Sequence, residues 1–181
     1  MAKSNHMPAP TLSPAEISLQ RVLTVSRFNG WSVIVLSALG SLLALAIGDL
    51  LSTLIGLLVL AAGLMEVRGH RQLQQRDPAG LTLLVRSQLF LLAVMLVYCA
   101  GRLGSFDADT ALASLTPDME VMLAEAGLDK SSLLPSVRTA FFALYSAVAA
   151  ITLIYQGGLA LFYRSKIKPV TEALTAPPTA S

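Results

Sequence analysis

The 181-residue chain is 54% hydrophobic and only 13% charged, with a net charge of +2. Soluble domains carry about 25% charged residues, so this composition predicts a protein that meets lipid and has no room for a second soluble domain of ordinary size. The small net charge gives no basis for a nucleic-acid partner. The single cysteine, Cys99, excludes an intramolecular disulfide and any Cys-x-x-Cys zinc or redox site.

Residues 1–12 are polar, contain two prolines and show no period, and read as a disordered tail. Ser13-Pro14-Ala15-Glu16 is a helix start: serine caps, proline suits the first helical position, and glutamate three residues on closes a capping box. Ala15, Leu19, Val22, Leu23 and Ser26 then share one face, which predicts an amphipathic interfacial helix over 13–27. A first span follows at 28–48, with Trp31 at headgroup level. Ala44-Leu45-Ala46 resembles a signal-peptidase site, but the apolar run resumes at once through Leu50 and Leu51, so the helix is expected to be retained.

Only Gly48-Asp49 separates this span from a second at 50–67, which predicts a tight reversal with Asp49 capping the next helix. A basic connection, Arg68 to Arg76, ends in the turn signal Asp77-Pro78-Ala79-Gly80. The third span, 81–103, has only 15 uncharged residues between Arg86 and Arg102. That is about 22 Å of helix against a hydrocarbon layer of about 30 Å, so one arginine must lie at or below the surface. Residues 104–136 form the one long loop, in which Ala108 to Leu115 and Met119 to Ala126 carry two short amphipathic patterns, the second ending at Gly127. The fourth span, 137–163, precedes a tail over 165–181 whose Pro- and Thr-rich composition predicts disorder. The expected fold is an all-α integral membrane protein: an antiparallel four-transmembrane-helix bundle in domain 28–164, with an N-terminal interfacial helix and an external helical loop.

Orientation follows from the charges. One side collects ten bases (Lys3, Arg21, Arg27, Arg68, Arg71, Arg76, Arg86, Arg164, Lys166, Lys168) and the other three (Arg102, Lys130, Arg138). Lys and Arg concentrate in cytoplasmic segments, which places both termini in the cytoplasm of an inner-membrane protein.

No nucleophile-base, cofactor or metal set converges, so no enzyme and no cofactor are expected. His6 and His70 lie outside the spans and offer no bis-histidine haem ligation. Two sets of residues stand out. Gly40, Ala44 and Gly48 on the first span, and Ala143 and Ala147 on the fourth, are small residues at the spacing that lets helices pack closely. Glu66 and Arg86, near the ends of neighbouring spans, have opposite charges at similar depth and are expected to pair; Tyr155 and Gln156 add polar groups in the last span. Span hydroxyls are expected to bond to their own helices, which leaves the centre dry. The sequence therefore favours a non-catalytic membrane subunit, scaffold or homo-oligomer, with the bilayer and another membrane protein or a second copy as partners. The alternative is a small-solute or ion transporter using Glu66, Arg86 and Gln156.

Overall fold

The computed structural model describes residues 13–108, 118, 121, 122, 125, 127 and 130–175. Among them are five helices: α1 (Pro14–Ala46), α2 (Leu50–Gln74), α3 (Ala79–Gly104), α4 (Lys130–Ser165) and α5 (Ile167–Thr175). Four of these are long and apolar enough to cross a membrane. The chain divides into two compact units: Met1–Gln88 with Leu159–Ser181, and Leu89–Gly158.

In the first unit, α1 opens on the capping box. Ser13 N donates to Glu16 Oε2 at 2.7 Å, and Glu16 N donates to Ser13 Oγ at 3.2 Å. The helix then runs unbroken for 33 residues, about 50 Å, so the expected division between an interfacial helix over 13–27 and a span over 28–48 is not a structural boundary. No proline interrupts Arg27-Phe28-Asn29-Gly30, and Gly30 sits against Val67 and Glu66, where a Cβ would come within 3.1 Å of Val67 Cγ2. The apolar face at the start of α1 is covered by protein. Val22 is fully buried in a core with Leu73, Leu81, Leu84, Tyr163, Val170 and Leu174, and Leu19 and Leu23 pack on it.

The reversal after α1 uses Gly48 at φ +77°, a left-handed value that suits glycine. Asp49 caps α2, accepting from Ser52 N at 3.0 Å and Ser52 Oγ at 2.6 Å. Gly30 against Val67, Ile34 against Gly63 and Ser41 against Gly56 meet in reverse order along the two helices. The expected basic loop from Arg68 begins as helix, because α2 continues to Gln74 and buries Gly69, His70 and Leu73. The turn comes at Gln75–Pro78, with Arg76 at φ 61° and Asp77 Oδ1 accepting from Ala79 N at 2.9 Å.

Gly69 and Gly80 bring α2 and α3 to backbone contact. A Cβ on Gly80 would lie 2.5 Å from Gly69 O and 2.9 Å from Leu73 N. The C-terminal segment also departs from expectation. Residues 167–175 form α5, whose Val170, Ala173 and Leu174 are buried and which packs on α1. Spacing of Ile167, Val170 and Leu174 at i, i+3 and i+7 was the available signal; Pro169 falls in the first turn, where it is tolerated.

The second unit holds a ring cluster. Phe106, Phe141, Phe142, Tyr98 and Tyr145 meet at centroid distances of 4.7–6.1 Å. Two arginines stack there, Arg102 over Tyr98 at 5.5 Å and Arg138 over Phe142 at 5.7 Å. Arg102 Nε also donates to Tyr98 Oη at 3.3 Å. Most of the two expected loop helices lies outside the described residues. Gly127, the expected C-terminal glycine, has φ +66°.

Candidate functional site

The most polar buried feature lies where α1, α2, α3 and the end of α4 meet within the first unit. Glu66 is 1% exposed. Its carboxylate accepts from Asn29 Nδ2 at 2.6 Å on Oε2 and from Tyr163 Oη at 2.8 Å on Oε1. Each carboxyl oxygen thus has one side-chain donor, one from α1 and one from α4. Tyr163 is fully buried and Asn29 nearly so. Gln88 adjoins the carboxylate, yet neither its nitrogen nor its oxygen has a hydrogen-bond partner. A buried amide without partners is costly, so Gln88 is the incomplete member of the cluster.

One turn along both helices, Ser26 Oγ and His70 Nδ1 share a buried hydrogen bond of 3.0 Å. His70 therefore sits in the helical core of this unit and not in an exposed loop. Five further hydroxyls of α1–α3 bond to their own backbones: Ser32 to Phe28 O, Ser37 to Ile34 O, Ser41 to Ser37 O, Thr53 to Asp49 O and Ser87 to Leu84 O.

The expected Glu66–Arg86 ion pair is not the arrangement found. Both carboxylate oxygens of Glu66 face neutral donors on α1 and α4, and no ion pair joins it to Arg86 among the described residues. Arg86 is exposed and lines a different cleft, of about 410 Å³, with Arg68, Gln72, Thr82, Met65 and Leu83. The helical period explains this: Arg68 and Gln72 lie on the α2 face that carries Met65, whereas Glu66 is turned toward α1.

Tyr155 and Gln156 belong to the other unit. Tyr155 is half-exposed, and Gln156 is buried with its carboxamide oxygen unpartnered. The small residues also separate. Ala44 is buried with Ser37 and Ser41, but Gly40 is exposed with open space where a Cβ would go, and Gly48 serves the turn. Close approach of α1 and α2 uses Gly30, Gly56 and Gly63 instead. Ala143 and Ala147 are exposed on α4.

Sequence reasoning missed Asn29 and Tyr163 as partners of Glu66. Asn29 is an amide at the edge of an apolar run, and Tyr163 ends another; their polarity was visible, their convergence was not. The chain matches no family model, no curated protein and no solved structure.

Proposed function

We propose that this protein is a four-span integral membrane protein of the cytoplasmic membrane, with both termini cytoplasmic, that works without catalysis by lateral association, as a subunit, scaffold or homo-oligomer. The observation that carries association is the state of α4. None of its most apolar 18-residue stretch is buried, and Thr139, Ala143, Ser146, Ala147 and Ala150 form an exposed strip on its first half. Lipid tails gain little from such a strip, whereas a second helix can approach closely across it. The transporter alternative has less support: Glu66 and Arg86 are not joined, and the span hydroxyls are engaged with their own helices.

Cross-linking tests association. In a Cys99→Ala background, Ala147→Cys is expected to yield a discrete covalent species, with a second copy or one defined neighbour, in native membranes. Leu144→Cys, exposed on another face, is expected to yield much less. Monomer alone at both positions refutes a role for this strip.

Orientation rests on the ten bases against three. Reporters active only outside the cytoplasm are expected to be active when fused at Thr110 or Asp129 and silent at His70 or Ser181. Activity at His70 reverses the topology.

A further inference from the structure

The cleft between α2 and α3 carries a feature that lateral association does not use. Arg68 stands six residues before the end of α2, and Arg86 seven residues after the start of α3. They are therefore about 9 and 10.5 Å from the turn that joins the helices, at similar depth on one face. Neither guanidinium has an ion pair or hydrogen bond among the described residues. On the turn side of the pair lies Gln72, whose carboxamide oxygen is buried and unpartnered. Thr82 and Leu83 of α3 also lie on the turn side of Arg86, and Met65 of α2 lies on the far side of Arg68. Two unneutralised charges on a pair of largely apolar helices are costly to place beside lipid, and among the described residues no carboxylate pairs with them.

We propose that this cleft binds the headgroup phosphate of an anionic phospholipid, with Arg68 and Arg86 as a two-sided clamp and an acyl chain running past Met65, away from the turn. A guanidinium matches a phosphodiester in a bidentate manner. Basic pockets between spanning helices on the cytoplasmic side suit anionic headgroups. The cleft volume of about 410 Å³ admits a headgroup but not a folded peptide. This inference rests on the reading of α2 and α3 as membrane spans.

The test is native mass spectrometry of the full-length protein, purified in mild detergent and offered phosphatidylglycerol, phosphatidylcholine or inorganic phosphate. Wild type is expected to retain phosphatidylglycerol at least tenfold better than phosphatidylcholine. R68Q and R86Q are each expected to lower retention several-fold, and R68Q/R86Q to abolish the preference. R68K/R86K keeps the charge but loses the fork and should fall between. R164Q removes a base outside the cleft and is expected to match wild type. Equal retention of the two lipids, an unchanged double glutamine variant, or displacement of phosphatidylglycerol by millimolar inorganic phosphate would each overturn the lipid site. Failure of the spanning reading is separately visible: the protein would then leave membranes on alkaline carbonate extraction, whereas a protein that stays but shows no lipid preference refutes the cleft alone.

Discussion

Tyr163→Phe is expected to lower the unfolding free energy of the detergent-solubilised protein by about 1–3 kcal/mol, the cost of leaving a buried acceptor short of a donor. The ring remains, so its packing in the core with Leu73 and Leu84 is retained and the loss reports the hydroxyl that donates to Glu66. Asn29→Ala removes the second donor and is expected to cost a similar amount. Double-mutant cycles then decide which side chains meet the carboxylate. Glu66→Gln combined with Tyr163→Phe should show a coupling of about 0.5–3 kcal/mol, as for residues in one hydrogen-bond network. Combined with Arg86→Gln it should be additive to within about 0.5 kcal/mol, since Arg86 lies in the other cleft. Coupling to Arg86 with none to Tyr163 would restore the ion pair that the spacing of charges suggests and would refute the cluster.

Gly80→Ala is expected to be among the most damaging single-methyl changes in the chain. Its Cβ would meet Gly69 O at 2.5 Å and Leu73 N at 2.9 Å, both backbone atoms. No rotamer can relieve such a contact; α2 and α3 must move apart, and forced overpacking of this kind costs about 1–3 kcal/mol, occasionally more. Displacement there also separates Leu73 from Leu81 and Leu84 in the core. Gly40→Ala is the opposite case. Nothing lies within 4 Å of its Cβ position, and alanine is favoured over glycine inside a helix by about 1 kcal/mol, so this change should leave the thermal midpoint unchanged or raise it. Equal effects at the two positions, read from thermal unfolding in the same detergent, would show that α2 and α3 are not in backbone contact.

The two glycines mark where sequence reading reaches its end. Gly40, Ala44 and Gly48 have the spacing of a packing strip, yet only Ala44 is buried; the contacts fall on Gly56 and Gly63, whose roles depend on which rows of α1 and α2 face each other. A four-residue spacing defines a stripe on one helix but not the partner that fills it.

Local features were legible because they depend on residues close in the chain. The capping box at Ser13 and Glu16, the Gly48-Asp49 reversal, the turn at Asp77-Pro78 and four long apolar helices follow from backbone chemistry and composition alone. Helix continuity was less so: α1 runs through Arg27, α2 through Arg68, and α5 forms beyond Lys166. Charged residues there suggest breaks, but each segment gains more from burying Val22, Leu73 or Val170 in a shared core than it loses by keeping its charges on the outer face. The partners of Glu66 belong entirely to tertiary structure. Asn29 is 37 residues away in sequence and Tyr163 is 97, and bringing three helices together at one carboxylate is a property of packing geometry that no local pattern encodes. Charge alone favoured Arg86; the rotation of α2 about its own axis, set by its contacts with α1, turned Glu66 toward neutral donors and left the arginines to the other side.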